Sequence, residues 1–146
     1  MMTAGPALAV AVTFCWLGMV LAISFIEAPL KFRAPGVTLQ IGLGIGRRVF
    51  RALNSVETIF AAIILVTLAV QRPSTAVIAA FAAAVAALAV QLIAVRPKLT
   101  QRSDAVLAVA PGEEAAGRSQ AHYYYVGFEL VKVIALLAGG ILLLAG

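Results

Sequence analysis

The sequence predicts an all-α, polytopic membrane protein folded as a four-helix bundle, and three observations carry that reading. Composition is the first: 63% of the 146 residues are hydrophobic and only 12% are charged, outside the balance of a soluble domain. Length is the second. At about 20 apolar residues per crossing, the chain accommodates about four spanning helices and two appreciable connections, as a single domain with nothing left for a soluble one. The third is the placement of positive charge. Lys31, Arg33, Arg47, Arg48 and Arg51 follow the first apolar run, and Arg96, Lys98, Arg102 and Arg118 follow the third, whereas the second connection holds only Arg72. The positive-inside rule then places both long connections in the cytoplasm and both termini outside, as in a bacterial inner-membrane protein.

A basic excess in a soluble chain would suggest nucleic acid. Here the cations flank apolar runs, so they report orientation and contact with anionic lipid headgroups instead. Lys31, Arg33, Arg47, Arg48, Arg96 and Lys98 are the headgroup candidates.

The first helix is expected over about residues 7–27, with Pro6 in its first turn and Pro29 at its exit. No Lys or Arg precedes it, so the run is expected to be kept as a helix and not cleaved as a secretory signal. Ser24, Glu27 and Lys31 share its exit face, but Pro29 interrupts the Glu27/Lys31 pair, which favours snorkelling of both groups to the interface.

Residues 28–51 form the first cytoplasmic connection. Gly42, Gly44 and Gly46 lack the preceding strand, the following acidic residue and the Gly-Lys-Ser/Thr ending that a nucleotide loop requires. The segment is expected to be interfacial or extended: it either lies along the headgroups or prolongs the second helix, while the alternation of Val37, Leu39, Ile41, Leu43 and Ile45 also suits a strand.

The second helix is expected over about 52–70. Arg47, Arg51, Asn54 and Thr58 fall within about 60° of arc, and Glu57 lies about 8 Å inside the apolar run, deep enough to need a partner among Arg51, Lys132 and Arg96. The third helix, about 75–95, repeats Ala76, Ala80, Ala84 and Ala79, Ala83, Ala87 at four-residue spacing, which lets backbones approach and suits a central packing strut. Gln91 is its polar residue near the exit, suited to an interhelical hydrogen bond. Residues 96–121 read as a polar cytoplasmic linker with Asp104, Pro111, Gly112, Glu113, Glu114 and Arg118, and a short surface helical turn is expected over 105–110.

The fourth helix, about 123–145, carries the most informative pattern. His122, Tyr125, Glu129 and Lys132 fall within about 80° of arc at the edge of an otherwise apolar span. An ionisable group facing lipid at mid-bilayer costs about 2.5–3.5 kcal/mol, so the stripe should face other helices or a wet cavity. Two readings stand. Together with Glu57, Asn54, Gln91 and Arg51 the stripe forms a binding cluster, or Glu129 and Lys132 merely neutralise one another at i, i+3 while His122 and the tyrosines mark the interface. A faint repeat, Pro29 with Pro97 and Glu57 with Glu129, would relate two hairpins and bring both glutamates to similar depth.

The Phe25-Ile26-Glu27-Ala28-Pro29 exit, the glycine-rich link into residues 47–50, Arg96-Pro97 and the polar loop leading to His122 together resemble small four-helix bacterial membrane proteins. These are grouped as a transmembrane domain of unknown function, whose eukaryotic relatives are linked with resistance to platinum drugs. The resemblance implies a compact multi-pass protein without an established enzymatic mechanism. It carries over the Pro29, Arg96 and His122 regions and does not match the Glu129/Lys132 pair.

Function therefore divides between two classes. One is a transport or solute-binding module in which Glu57 and Glu129 bind a cation or proton, Asn54 and Gln91 hydrogen-bond, and His122 with Arg51 tunes the charge. The alternative is an accessory or assembly subunit, or a lipid-binding scaffold, acting as a homo-oligomer through the Ala-rich face or with a partner membrane protein. No cofactor or metal is expected. Cys15 is the single cysteine and His122 the single histidine, too few for a thiolate relay or bis-His haem within one chain. Enzymatic activity has the least support, since nothing identifies a nucleophile or an oxyanion site.

Overall fold

The computed structural model describes residues 3–108 and 120–146. The loop residues Pro111, Gly112, Glu113, Glu114 and Arg118 lie outside them, as does the end of the helical turn expected over 105–110. Among the described residues the protein is helical with no strand, and four helices are long and apolar enough to cross a membrane. The chain is a multi-pass membrane protein.

Helix α1 runs over Ala4–Lys31. It is α-helical over Ala4–Val20, π-helical over Leu21–Glu27 and α-helical again over Ala28–Lys31. Helix α2 is a single α-helix, Leu39–Gln71. Helix α3 combines Thr75–Val90, a π-helical Gln91–Val95 and a further α-helical Arg96–Leu107. Helix α4 is Gln120–Ala145.

Neither Pro29 nor Pro97 ends its helix, contrary to the sequence expectation. A proline inside an α-helix lacks an N–H and crowds the carbonyl four residues back. Those carbonyls belong to Phe25 and Ile93, and each lies in a π-helical stretch whose wider turn relieves the crowding. Each stretch ends two residues before its proline, so α1 and α3 share one solution. Because α1 continues through Pro29, Glu27 and Lys31 pair across it, Oε2 to Nζ at 3.7 Å.

The connection expected to be interfacial or extended is the second difference. Only its residues 32–38 are non-helical, between the end of α1 and the start of α2: Thr38 caps α2 by accepting a hydrogen bond from the Ile41 backbone N–H at 3.2 Å. Residues from Leu39 onward are already helix. Their alternation of aliphatic and glycine residues resembles a strand pattern, yet Gly42, Gly46, Leu53, Asn54, Glu57, Ala61 and Ile64 lie buried along one helical face. At 33 residues α2 is about 50 Å long, against about 30 Å of hydrocarbon, so its first turns project beyond the apolar layer. At its other end Arg72 adopts a left-handed conformation, φ 46°, and its N–H returns to the Leu68 carbonyl at 2.9 Å. Ser74 then caps α3.

Helices α1 and α3 both pack on α4, α2 packs on α1, and α2 and α4 face each other across the bundle. The expected central strut, α3, instead packs chiefly on α4. Ala84 and Ala87 are buried, whereas Ala76, Ala79 and Ala83 face outward. Phe81 seats against Gly139, where a Cβ would come within 2.8 Å of its ring. Trp16, Ile64, Phe81 and Leu136 are fully buried in the apolar core that extends from a polar layer towards the 71–75 turn, and on α1 the buried Thr13 donates its hydroxyl to the Ala9 carbonyl of its own helix at 2.6 Å. This dry plug closes one side of the layer.

Candidate functional site

The polar layer draws on all four helices. From α4, Lys132 projects between two carboxylates: its Nζ lies 2.5 Å from Glu57 Oε2 on α2 and 2.5 Å from Glu129 Oε1, one turn earlier on α4. All three side chains are at most 1% exposed. The i, i+3 spacing of Glu129 and Lys132 puts both on one face of α4, and the crossing of the bundle supplies Glu57. Trp16 of α1 donates its Nε1–H to Glu57 Oε2 at 2.9 Å. Gln91, the first residue of the π-helical stretch of α3, donates through Nε2 to Glu129 Oε1 at 2.8 Å and to the Tyr125 carbonyl at 3.2 Å. Ser24, within the π-helical stretch of α1, donates to Glu129 Oε2. Both π-helical stretches thus contribute a donor to the same carboxylate.

On the side of the layer towards the start of α4, Tyr125 donates its hydroxyl to Asn54 Oδ1 at 3.4 Å and packs edge-on against Phe50, ring centroids 5.6 Å apart. Arg96 lies beside the same hydroxyl and donates to the Arg47 carbonyl at 3.4 Å. Glu57 Oε1, Gln91 Oε1 and Asn54 Nδ2 are buried without a hydrogen-bond partner among the described residues. Two carboxyl groups share one lysine amine here.

The structure therefore brings together Glu57, Glu129, Lys132 and Gln91, with Tyr125 and Asn54 adjoining them. Of the three partners offered to Glu57 by the sequence, Lys132 is the one it meets. Arg51 stands apart: its side chain is exposed on the outer face of α2, because the buried face runs through Gly46, Leu53 and Glu57 and Arg51 lies about 120° around the helix from Glu57. His122 lies about 10 Å along the α4 axis from Glu129, half-buried, with its ring edge-on to Tyr123 at 5.8 Å.

Among the headgroup candidates, Arg33, Arg48 and Lys98 are exposed, whereas Arg96 and Arg47 are half-buried and Arg47 pairs with Asp104 at 2.7 Å. Lys31 departs most from expectation. Its side chain is only 10% exposed, and its Nζ sits over the rings of Phe32 and Phe50 at 5.5 and 5.7 Å. Glu27, Phe32 and Phe50 surround its ammonium group.

Sequence reasoning missed Trp16 altogether and placed Ser24 only on an exit face. The available signal was the indole N–H, a donor that needs a partner once the ring is buried far from an interface. Comparison of the chain with known protein families, with curated proteins and with solved structures finds no match.

Proposed function

We propose that this protein binds a proton at the centre of its bundle and serves as a small transport or binding module for protons or a proton-coupled solute, its polar layer facing the cytoplasm. One observation carries the reading: a single lysine lies between two fully buried carboxylates. With all three groups ionised, the layer holds net negative charge in surroundings of low dielectric, where uncompensated charge is costly. One added proton shared by the carboxylates removes that charge. Because the Lys132 ammonium already occupies the space between the carboxylates, a proton suits the site better than a metal ion does.

A purely structural role would need only one carboxylate per lysine. A glutamine at position 129 would accept equally well from Gln91 and Ser24 without an additional charge. The resemblance to small four-helix membrane proteins without an enzymatic mechanism is compatible with such a module.

Infrared difference spectroscopy of the reconstituted protein tests the reading. A protonated-carboxyl band is expected that titrates with pH and is lost or shifted in both Glu57→Gln and Glu129→Gln. Trp16, the single tryptophan, touches Glu57 directly, so its emission should follow the same titration. A carboxyl spectrum that stays fully ionised wherever the protein remains folded would exclude the proposal.

A further inference from the structure

Away from the polar layer, a groove of about 510 Å³ opens between the first turns of α2 and the end of α3, lined by Gly44, Ile45, Arg47, Arg48, Arg51 and Leu107. Its charge is largely uncompensated. Arg47 is answered by Asp104, but Arg48 and Arg51 make no ion pair among the described residues, and both are exposed. Arg51 lies about 30 Å along the α2 axis from Gln71, one hydrocarbon thickness from the opposite surface, and Arg48 lies about one turn beyond it. With Gln71 at the opposite hydrocarbon boundary, both guanidinium groups come to the level of the lipid phosphates. The floor is kept open by Gly44: no atom lies within 4 Å of where its Cβ would be. Beside it Ile41 and Ile45 are 48% and 41% exposed. Exposed aliphatic residues beside unpaired arginines suit a ligand with an anionic centre and a carbon skeleton.

We propose that this groove binds the phosphodiester headgroup of an anionic membrane phospholipid, with Arg48 and Arg51 holding the phosphate oxygens and the apolar floor receiving the headgroup's carbon atoms. The fork of a guanidinium matches the paired oxygens of a phosphate, and the site's depth places it where such lipids reside. Arg51, grouped by helical arc with the intramembrane cluster, belongs by its position to this second site. The proposal does not depend on proton binding.

The test is native mass spectrometry of the full chain released from nanodiscs of mixed phosphatidylcholine and phosphatidylglycerol. The wild-type protein is expected to retain one phosphatidylglycerol with about tenfold preference over phosphatidylcholine. Two variants should abolish the preference by different routes. Arg48→Gln with Arg51→Gln removes the charge, and Gly44→Leu fills the floor with all arginines present, using a better helix former than glycine. Unchanged Trp16 emission shows that each variant keeps its bundle. Equal retention of the two lipids by the wild type, or a preference surviving in either variant, overturns the proposal. So does displacement of the lipid by glycerol phosphate at equal concentration, which would assign the groove to a soluble phosphate compound.

Discussion

Removing the Lys132 ammonium would leave Glu57 and Glu129 in a dry layer without a cation. Lys132→Met is therefore expected to lower stability by about 3–5 kcal/mol, measured by thermal or denaturant unfolding in detergent. Adding Glu57→Gln and Glu129→Gln to that variant should recover most of the loss, because the neutral layer no longer buries charge. Recovery with one glutamine alone should be partial. Much of this layer is legible in the sequence, since a charge inside an apolar run demands a partner and few candidates exist. Glu57, Glu129, Lys132 and Gln91 follow from that demand. Trp16 does not, because an aromatic residue among aliphatic ones reads as core and its single N–H leaves no trace in a hydrophobicity pattern. Arg51 misleads for the opposite reason: it shares an arc with Asn54 at the edge of the packed face, but it lies about 120° around α2 from Glu57 and is exposed.

The two π-helical stretches set which residues of α1 and α3 face the layer. Restoring an N–H at Pro97 by Pro97→Ala permits Gln91–Val95 to close into α-helix, a change of register that turns the following segment by about 100°. Spin labels at Thr38 and Lys98 are expected to report a changed distance, while a control pair at Thr38 and Ser74 stays constant. An unchanged distribution for the first pair would mean that neighbouring contacts, not the proline, hold the π-helical turns. At the far end of the bundle Gly139→Ala should lower stability by about 1–3 kcal/mol, since its Cβ would approach Phe81 to 2.8 Å, and Phe81→Leu in the same background should relieve part of the cost. The helices themselves were legible from apolar length, but their ends were not. Proline counts as a stop only when a helix is assumed to stay α throughout, and glycine between aliphatic residues hides the start of α2 behind a two-residue alternation.

For the molecule as a whole, the concentration of cations at one end leads to a topology prediction. With Cys15 replaced by Ser, a cysteine at Ser74 should react with a membrane-impermeant maleimide from outside the cell, and one at Thr38 only after the membrane is opened; the reverse pattern would invert the orientation. The dry plug of Trp16, Ile64, Phe81 and Leu136 has a further consequence. Glu57 lies about 21 Å along α2 from Gln71, which leaves it about 9 Å inside the hydrocarbon boundary at the arginine end. A proton reaching Glu57 from that end has traversed about a third of the apolar thickness, and in this conformation the apolar core separates it from the opposite surface, so onward transport requires the helices to rearrange. Its occupancy is then coupled to the membrane potential, by about 0.7 kcal/mol per 100 mV, and a voltage step that leaves the helices in this arrangement should displace charge in a brief capacitive transient without a steady current.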